Sequence, residues 1–556
     1  MKVLIIGGVA GGASCAARLR RLDEKAEIVI IERGEFISFA NCGLPYYIGG
    51  EITERSSLTL QTPESFKARF NIDVRTFSEA VAIDTKNRSV TVRSLKTGEE
   101  YTESYDSLLL SPGASPIRPN IEGIDSEKVF TLRNIPDTVR IKEYIDKTHP
   151  RSAVVIGGGY IGVEMAENLA KAGLKVDIVE LADHLIASLD FDMAADVHRY
   201  IKAKGIRLHL NNGVKAINGN TVVLQNGEIA ADMIIMSVGV RPDTAFVRSS
   251  DIKTDGRGSI IVNERMQTSA PNVYAVGDAV VVKNYITGEP SFIPLAGPAN
   301  KQGRIAADNI CGIPSEYKGT QGSSVLKLFD MTVATTGLNE KSATAAGYDY
   351  DKTYTYSASH ASYYPNSSMM SVKLLWDKAT HKILGAQIVG FDGVDKRMDV
   401  IATAIRLGAR VTDLADLELC YAPPFGSAKD PVNMVGFVAE NVITGKIGQF
   451  FWHDVEKLPR DGSVTLLDTR TDTEVARGRI NGFMHIPLDS LRKRIHEIPK
   501  GKPVYVHCHS GLRSYIACRI LAGNGFECYN LAGGWRLYES VINERTVPEY
   551  ICTECK

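Results

Sequence analysis

Nine cysteines carry the richest chemistry in this chain, and their spacing narrows what that chemistry is. The count is odd and the residues are spread thinly over 556 positions, unlike the dense pattern of a disulfide-stapled secreted domain. We therefore expect thiols in a reducing cytosol, most of them small buried hydrophobes. Reactive thiols are distinguished by their surroundings, and two stand out, Cys42 and Cys508.

Cys42 lies in the segment EFISFANCGLPYY, shortly after a predicted strand that ends at Glu32. The sequence holds no other cysteine between Cys15 and Cys311, so a local disulfide partner is missing. A single thiol must cycle through a mixed disulfide with its substrate, a persulfide or a sulfenic acid. We expect a reactive thiol whose pKa is lowered by a nearby helix dipole. The alternative is a buried structural cysteine.

Cys508 ends the apolar strand PVYVHC and opens the loop 509–513, after which a helix is predicted from Ser514. Successive N–H groups in such a loop form an anion-binding nest at the positive end of the helix. This nest is expected to lower the pKa of Cys508 and to hold an extra sulfur there as a persulfide.

The elements that must position Cys42 begin with a strand at 2–6, a glycine turn at 7–12 and a helix at 13–22. A second strand then ends at Glu32. The glycines permit a tight turn and close approach of N–H groups to a pyrophosphate, and the acid accepts hydrogen bonds from a ribose. A glycine pattern alone is weak evidence, but the complete strand, helix and acid predict a dinucleotide site.

The same pattern returns with a strand at 153–156, a turn at 157–162, a helix at 163–173 and a strand that ends at Glu180. A second dinucleotide site is therefore predicted. Because no arginine replaces Glu180, this carboxylate should bind the free 2′-hydroxyl of NADH and repel the 2′-phosphate of NADPH. NADH is favoured over NADPH.

Two further motifs follow the apolar run SLLL and the segment TSAP, namely SPGA at 111–114 and NVYAVGD at 272–278. Over residues 1–445, the order of the four motifs resembles the pyridine nucleotide-disulfide oxidoreductases, which hold FAD in the outer motif and NAD(P)H in the inserted one. The resemblance implies that Asp278 binds the flavin ribityl chain and that Tyr160 gates the nicotinamide pocket. The cofactor-binding residues expected are Gly7, Gly8, Gly11, Gly12, Glu32, Arg33, Ser111, Pro112, Gly113, Gly277 and Asp278 for FAD and Gly157, Gly159, Tyr160, Gly162, Glu180 and Gly239 for NAD(P)H.

The segment SFANCGLPYY resembles the single-cysteine branch of that family, which contains coenzyme A disulfide reductase, persulfide and polysulfide reductases, NADH oxidase and NADH peroxidase. Oxidase and peroxidase members carry a histidine where this chain has Ala10, which argues against peroxide chemistry. The segments around Tyr363 and Tyr421 resemble the coenzyme A disulfide reductases, whose matching tyrosines come from the partner subunit. A homodimer is implied, although the alternative is tyrosines that only pack at an interface.

In the same subgroup the coenzyme A groove implies six positions here, Ser14, Arg18, Arg21, Ser38, Asn41 and Lys429. Two of these are arginines three residues apart on the first helix, which suits phosphate ligands on one face. The alternative is that they are ordinary surface arginines. The chain departs from the subgroup at Phe70, where a lysine is usual, and at Asn300, where a histidine is usual.

From about residue 450 the pattern changes to D-x-R, G-x-I-x-G-x-x-H-I-P and C-x-x-G-x-R-S elements. Over residues 450–545 they resemble rhodanese sulfurtransferase domains, which implies that Cys508 carries sulfur and that Arg513 shapes its loop. Asp468, Arg470 and Glu474 match positions that support the fold and that loop. The terminal Cys552-Thr-Glu-Cys555 relays sulfur, resolves a persulfide or does nothing, and without a second ligand pair we expect no metal site.

The resulting fold class is α/β, with two Rossmann-like FAD and NAD(P)H domains, an α+β dimerisation domain and a C-terminal α/β rhodanese domain. The 64 basic and 65 acidic residues give no electrostatic reason to expect nucleic acid or an anionic membrane as partner. The N-terminus lacks a signal pattern and no apolar run reaches the length of a membrane span, so a cytoplasmic protein is expected. The predicted domains are 1–150 (FAD, first part), 151–265 (NAD(P)H), 266–322 (FAD, second part), 323–445 (dimerisation), 450–545 (rhodanese) and a tail at 546–556.

Taken together, these features predict an enzyme that uses NADH, FAD and coenzyme A to reduce small sulfur substrates. We favour a persulfide, polysulfide or coenzyme A persulfide as substrate, because a sulfur-carrying domain has little use for a symmetrical disulfide. Reduction of coenzyme A disulfide is the main alternative, followed by an NADH oxidase or peroxidase. A redox sensor with a partner-binding rhodanese domain is the alternative of a different class.

Overall fold

The computed structural model describes residues 1–546, so the predicted role of Cys552 and Cys555 lies outside the described residues. The α-helices in that range are α1 Gly11–Leu22, α2 Leu44–Ile48, α3 Pro63–Phe70, α4 Ile135–Thr148, α5 Tyr160–Lys171, α6 Phe191–Ala203, α7 Ala296–Ile310, α8 Glu340–Ala345, α9 Val394–Arg406, α10 Asp413–Asp416, α11 Pro431–Ile443, α12 Asp472–Ala476, α13 Leu488–Arg494, α14 Leu512–Gly523 and α15 Gly534–Thr546. The strands are β1 Lys2–Ile6, β2 Glu27–Ile31, β3 Asp73–Arg75, β4 Ser78–Asp84, β5 Ser89–Ser94, β6 Glu100–Ser104, β7 Ser107–Leu110, β8 Ala114–Pro116, β9 Val129–Phe130, β10 Ser152–Ile156, β11 Lys175–Val179, β12 Arg207–His209, β13 Val214–Asn218, β14 Thr221–Leu224, β15 Glu228–Ala230, β16 Met233–Met236, β17 Val240–Pro242, β18 Ile260–Ile261, β19 Val273–Ala275, β20 Val280–Lys283, β21 Pro290–Ser291, β22 Ser324–Leu328, β23 Met331–Gly337, β24 Tyr350–Ala358, β25 Met369–Asp377, β26 Ile383–Gly390, β27 Gly448–Phe450, β28 Thr465–Asp468, β29 Met484–His485, β30 Val504–His507 and β31 Cys528–Leu531.

The chain forms two compact units. The first contains Met1–Ala182 and Ile206–Gly322, and the second contains Asp183–Gly205 and the chain from Ser323 onward. The segment that carries α6 therefore belongs to the second unit, although residues on both sides of it belong to the first.

A parallel five-stranded sheet in the order β19-β7-β1-β2-β3 organises the N-terminal part of the first unit. Val3, Leu4 and Ile5 in β1 are fully buried, because helices cover both faces of such a sheet. The strand order brings the carboxyl ends of β1, β2 and β7 to one edge, where the first glycine turn and Glu32 follow directly. This edge is where parallel α/β sheets bind ligands.

A second parallel sheet in the same unit has the order β12-β11-β10-β16-β9. β10 pairs with β11 and β16, so the second glycine turn and Glu180 again lie at the carboxyl edge. The two similar sheets agree with the expectation of two Rossmann-like units.

The second unit contains an antiparallel five-stranded sheet in the order β22-β23-β26-β25-β24. Its core includes Trp376 and Leu374 in β25, and helices α9 and α11 pack against it. This mixture of antiparallel strands and helices is the predicted α+β type.

The C-terminal part of the second unit is a parallel sheet in the order β27-β31-β30-β28-β29. Its central strand β30 ends at His507 and so delivers Cys508 to the carboxyl edge. Helix α14 begins at Leu512, two residues earlier than predicted, because Gly511 takes a left-handed φ of 99° that turns the loop directly into the helix. Arg513 consequently lies in the first helical turn instead of the loop. The predicted α/β fold class is confirmed.

None of the helices described in residues 1–546 is long and apolar enough to span a bilayer.

Candidate functional site

The first glycine turn joins β1 to α1 and requires glycine at two positions. Gly7 has a φ of 95°, and a Cβ there would lie 2.1 Å from the Ser111 carbonyl oxygen. A Cβ on Gly12 would lie 1.9 Å from the Gly7 carbonyl oxygen. The carboxylate of Glu32 braces the turn by accepting hydrogen bonds from the Gly8 N–H at 2.8 Å and the Gly34 N–H at 2.7 Å. The backbone is therefore held open for a ligand at the N-terminus of α1.

A cavity of about 420 Å³ opens beside this turn. Its walls include four predicted FAD residues, Gly7, Glu32, Arg33 and Pro112. Arg33 Nη2 also lies 2.6 Å from Asp243 Oδ2, and Asp243 is part of the same wall. A nucleoside-sized space with a carboxylate at a strand end suits the adenosine half of a dinucleotide.

Five more predicted FAD residues converge near the same sheet edge. A Cβ on Gly11 would lie 3.2 Å from Ser111 Oγ. A Cβ on Gly277 would lie 3.7 Å from the same oxygen. Asp278 follows in a 3₁₀ turn at Gly277–Ala279, with one carboxylate oxygen 3.4 Å from Arg133 Nη2. The same Nη2 would lie 2.8 Å from a Cβ on Gly113.

The second glycine turn, between β10 and α5, repeats this construction. A Cβ on Gly162 would lie 1.9 Å from the Gly157 carbonyl oxygen, whereas a Cβ on Gly159 would face open space. The Glu180 carboxylate accepts the Gly158 N–H at 2.6 Å and the Ala182 N–H at 2.8 Å. The turn thus fits a second dinucleotide.

The other two predicted NAD(P)H residues lie on elements next to that turn, Tyr160 at the start of α5 and Gly239 after β16, which pairs with β10. Tyr160 is the first residue of α5 and is half-buried. Gly239 follows β16 with a φ of 112°, a conformation that favours glycine.

Cys42 lies in a 3₁₀ turn, Asn41–Gly43, that continues into α2, and the residue is exposed. The pKa of its thiol is raised, first by partial desolvation of the sulfur and then by the carboxylates of Glu164 and Asp278. The expectation of a lowered pKa is therefore wrong for this structure. Partial desolvation is the larger cause, and the two carboxylates, which are distant in sequence, add to it.

Sequence reasoning missed Glu164 and Tyr46. Glu164 lies on α5, and Tyr46 on α2 donates its hydroxyl to Glu164 Oε1 at 3.3 Å. Burial raises the pKa of Glu164 to about 7, assisted by the negative charge of Glu167. The sequence shows only that Glu164 lies one turn into the helix after the second glycine motif. That position alone does not distinguish a functional acid from one on a solvated helix face.

The predicted coenzyme A residues are only partly available for phosphate groups. Arg18 Nε donates to Asp308 Oδ1 at 2.8 Å, whereas Arg21 is exposed. Ser14 Oγ donates to Asn300 Oδ1, which places the departure at position 300 directly beside a predicted contact. Arg20, between the two arginines, is buried and donates to backbone carbonyl oxygens.

Ser38 and Asn41 lie on the approach to Cys42. Ser38 has a φ of 44°, and its N–H donates to the Gly8 carbonyl oxygen at 2.9 Å. Asn41 begins the 3₁₀ turn of Cys42 and is partly exposed.

In the second unit, Tyr363 and Tyr421 form an exposed pair with their hydroxyl oxygens 3.0 Å apart. Their hydrogen bond raises the pKa of Tyr363. Lys429 is exposed and lies one residue before Asp430, which forms a buried ion pair with Arg397 at 2.9 Å. The tyrosines are thus brought together and left open to solvent.

Cys508 is fully buried in the loop just before α14, and two hydrogen-bond donors contact its sulfur. The Gly511 N–H donates to its sulfur at 3.1 Å, and the Ser514 hydroxyl donates at 3.2 Å. Arg513 makes a bidentate ion pair with Glu474, at 2.7 and 2.6 Å, which lowers the pKa of that carboxyl to about 2. The loop thus directs two hydrogen-bond donors at the sulfur.

The residues expected to support this loop form a buried network. Asp468 receives a side-chain bond from Arg470 at 2.7 Å, and His485 Nε2 is 2.8 Å from the Arg470 carbonyl oxygen. Burial lowers the pKa of His507 to about 4, so this ring stays neutral beside Asp468 at 3.4 Å.

Among residues 1–546, one carboxylate cluster has the spacing of a metal site, formed by Asp190, Asp192 and Glu340. The ammonium of Lys373 lies within it, 2.8, 2.8 and 2.5 Å from the three carboxylates. A lysine ammonium therefore balances the negative charge that a metal would otherwise neutralise.

Comparisons with known proteins agree with this architecture. The pyridine nucleotide-disulphide oxidoreductase family matches residues 1–303, its dimerisation domain matches 323–431, and the rhodanese-like domain matches 452–540. A coenzyme A disulfide reductase of Staphylococcus aureus is 38% identical over 441 residues, which is 79% of this chain and 100% of that protein.

Two solved structures resemble nearly the whole chain. Reduced CoADR-RHD of Bacillus anthracis has a TM-score of 0.96 at 50% identity and covers 98% of both chains. An NAD-dependent persulfide reductase from A. fulgidus has a TM-score of 0.91 at 36% identity and covers 97% of this chain and 100% of its own. The chain therefore belongs to the pyridine nucleotide-disulphide oxidoreductase family and carries a rhodanese-like domain.

Proposed function

We propose that this enzyme uses NADH to reduce persulfides and polysulfides, with coenzyme A persulfide as the leading candidate, and that Cys42 is its working thiol. Two thiols in one chain carry the proposal. The buried rhodanese cysteine Cys508 accepts two hydrogen bonds at its sulfur, and the redox cysteine Cys42 forms no disulfide. A site built to hold sulfane sulfur serves a persulfide reductase directly, whereas a symmetrical disulfide offers it no sulfur. The similar persulfide reductase from A. fulgidus supports this choice.

The residues present fit the two cofactors of the family, FAD and NAD(P)H. The cavity at Gly7, Glu32 and Arg33 suits the adenosine of FAD, and Asp278 suits its ribityl chain. The turn at Gly157 and Gly162 suits NADH. When bound, FAD supplies a two-electron connection between nicotinamide and sulfur.

The overall reaction is R–S–SH + NADH + H⁺ → R–SH + H₂S + NAD⁺. Cys42 attacks the outer sulfur of the substrate, a bond forms between the two sulfurs, and the S–S bond of the substrate breaks to release R–SH. Two electrons from NADH then break the Cys42 persulfide and release sulfide. Cys42 returns to its starting thiol.

Cys508 exchanges sulfane sulfur with the same substrate pool. Its thiol accepts the outer sulfur according to Cys508–SH + R–S–SH → Cys508–S–SH + R–SH, which needs no external reductant. The N–H of Gly511 and the hydroxyl of Ser514 stabilise the negative charge on the terminal sulfur.

We further propose that the chain acts as a homodimer. The matched dimerisation domain and the exposed Tyr363–Tyr421 pair support this arrangement, in which the tyrosines of one subunit serve the Cys42 site of the other. The coenzyme A moiety would contact the six predicted positions, of which Arg21 and Lys429 are exposed.

Reduction of coenzyme A disulfide is the second candidate, supported by the Staphylococcus aureus relative. Cys42 can attack a disulfide by the same displacement, with R–SH as leaving group and no sulfide formed. An NADH oxidase or peroxidase has less support, because Ala10 stands where those branches carry histidine.

Anaerobic NADH oxidation with coenzyme A persulfide, polysulfide and coenzyme A disulfide in parallel tests the proposal. Wild type, Cys42→Ser and Cys508→Ser are compared while sulfide is quantified. We expect one sulfide per NADH from the persulfide and no turnover in Cys42→Ser. Turnover of the disulfide alone, without sulfide, would establish a coenzyme A disulfide reductase instead.

A further inference from the structure

Two further cysteines of the rhodanese-like domain meet where α14 packs against β31. Cys518 lies within α14 and is fully buried, whereas Cys528 begins β31 and is partly exposed. The Cys528 thiol donates to the Cys518 carbonyl oxygen at 3.2 Å, and the Cys518 thiol is hydrogen-bonded to the Cys528 sulfur. We call this pair the α14–β31 dithiol.

The same interface also holds the loop of Cys508. On α14, Ser514 lies one turn before the dithiol on the same face, and its hydroxyl donates to the Cys508 sulfur at 3.2 Å. On β31, Asn530 lies two residues after the dithiol on the same side of the strand, and its amide donates to the Gly511 carbonyl oxygen at 3.2 Å. A change at the dithiol therefore reaches the sulfur-carrying loop through both elements.

The two thiols of the pair have different surroundings. The hydrogen bond from Cys518 lowers the pKa of Cys528, and the guanidinium of Arg519 lowers it further. Burial raises the pKa of Cys518. Since the thiolate is the nucleophile, Cys528 is the thiol that can both ionise and meet a solute. Cys518 can react only with a sulfur that is already bonded to its neighbour.

We propose that Cys518 and Cys528 form a second redox site, which a low-molecular-weight disulfide such as coenzyme A disulfide oxidises to an intramolecular disulfide that slows sulfur transfer at Cys508. This role goes beyond the proposed reduction of persulfides at Cys42. It requires neither NADH nor flavin.

The chemistry takes two displacements. In the first, Cys528–SH + R–S–S–R → Cys528–S–S–R + R–SH, the S–S bond of the small disulfide breaks and the thiol proton goes to the leaving thiolate. In the second, Cys518–SH + Cys528–S–S–R → Cys518–S–S–Cys528 + R–SH. The two cysteine sulfurs lose two electrons, and the small disulfide gains them. Excess R–SH reverses both steps, so the ratio of disulfide to thiol sets the state of the site.

Oxidation changes how the two elements meet. It replaces the hydrogen bond between Cys528 and the Cys518 carbonyl oxygen with a covalent link between α14 and β31. Because the Cys518 side chain is fully buried, its movement must also move the neighbouring side chains of α14. Ser514, one turn earlier, then loses its position at the Cys508 sulfur.

Peptide mapping of the anaerobic holoenzyme tests the oxidation itself. The full chain is treated with coenzyme A disulfide without NADH, blocked with iodoacetamide and digested with trypsin without reductant. Cleavage after Arg513, Arg519 and Arg536 places Cys518 in peptide 514–519 and Cys528 in peptide 520–536, both separate from Cys508. We expect these two peptides to be joined by a disulfide that excess coenzyme A removes. Two peptides that stay unlinked would overturn the proposal.

Single variants test the order of attack. Cys518→Ala should trap coenzyme A on Cys528 as a stable mixed disulfide, because no second thiol displaces it. Cys528→Ala should leave Cys518 unmodified, since that thiol is fully buried. Cys311→Ala, a partly exposed cysteine of the first unit, is the matched control and should keep the link. Modification of Cys518 in Cys528→Ala at the wild-type rate would contradict this order.

The rate at which coenzyme A persulfide loads Cys508 tests the effect on sulfur transfer. Treated and untreated protein are freed of small molecules, mixed with the persulfide, quenched rapidly and analysed by mass spectrometry. We expect loading of the oxidised wild type to be about tenfold slower, the scale of one lost hydrogen bond to a charged group.

Cys528→Ala is the control for loading, because it cannot form the link and its rate should not respond to the treatment. Equal rates in oxidised and reduced wild type, or equal slowing in Cys528→Ala, would overturn control of Cys508 by the dithiol. The peptide link forms without turnover at Cys42, so a failure of the proposed persulfide reduction is distinguishable from a failure of this site.

Discussion

The two working thiols lie in opposite electrostatic surroundings. An N–H group and a hydroxyl donate to the sulfur of Cys508, which is fully buried. Cys42 is exposed, and partial desolvation of its sulfur together with the carboxylates of Glu164 and Asp278 raises the pKa of its thiol. The first arrangement suits a sulfur that must hold a bound persulfide, and the second leaves the thiol open to a substrate.

The hydroxyl of Ser514 gives a prediction at this scale. Ser514→Ala removes the donor that lies 3.2 Å from the Cys508 sulfur in a fully buried site. We expect sulfur transfer to an acceptor thiol to slow about tenfold, which corresponds to about 1.4 kcal/mol and to one lost hydrogen bond to a charged group.

The measurement is the rate at which Cys508 persulfide is formed and discharged, followed by mass spectrometry of the intact chain. Cys508→Ser gives the background signal, because it cannot form the persulfide. Ser490→Ala, on α13 of the same domain, is the control. Equal rates in Ser514→Ala and wild type would show that the backbone nest alone holds the sulfur.

Among the elements, the two strand–turn–helix units are near copies with separate tasks. In each, an acid at the end of the second strand accepts two N–H groups from the backbone. In each, a glycine in the following helix sits against the carbonyl oxygen of the first glycine. The similar geometry predicts that each turn can be damaged without the other.

Gly12→Ala and Gly162→Ala test that separation. Each added Cβ would lie 1.9 Å from a carbonyl oxygen, a clash that must move the backbone away from the pyrophosphate position. We expect Gly12→Ala to purify without flavin absorbance, and Gly162→Ala to keep the flavin but bind NADH at least about tenfold more weakly.

Gly256→Ala is the control, because a Cβ there meets open space without a left-handed φ. Flavin absorbance and NADH titration give both readings on the same samples. Loss of flavin in Gly162→Ala would mean that the two turns are not independent.

For the whole molecule, the second unit contains a buried cluster of charges. Lys373 is fully buried and contacts three carboxylates that come from the segment before α6, from α6 itself and from α8. The indole of Trp452, at the start of the rhodanese-like domain, donates to Asp192 at 3.2 Å. The cluster therefore joins chain segments more than 250 residues apart.

Lys373→Met should destabilise the second unit. Lys352 still pairs with Glu340 in the variant, but removing the Lys373 ammonium leaves the buried carboxylates of Asp190 and Asp192 without their ion-pair partner, at a cost of about 3–5 kcal/mol. Urea unfolding followed by tryptophan fluorescence measures it, with Lys378→Met, an exposed pair with Asp349, as control. Equal stability of the two variants would contradict a structural role for the cluster.

Local sequence was sufficient for features that depend on neighbouring residues. The apolar strands, the glycine turns and the strand-end acids Glu32 and Glu180 all lie within short segments, so their pattern predicts both units. The loop around Cys508 is equally local, because strand, nest and helix follow each other in the chain. Even there, the start of α14 was misplaced by two residues, since the conformation of Gly511 decides it.

Only the tertiary structure decided which side chains meet across long sequence separations. The helix that carries Glu164 begins more than 100 residues after Cys42, and this carboxylate adds to the rise in the thiol pKa that partial desolvation causes. Arg18, predicted as a phosphate ligand, pairs with Asp308 for the same reason. Periodicity in a sequence specifies the face of each element, whereas the charge at a site depends on which faces pack together.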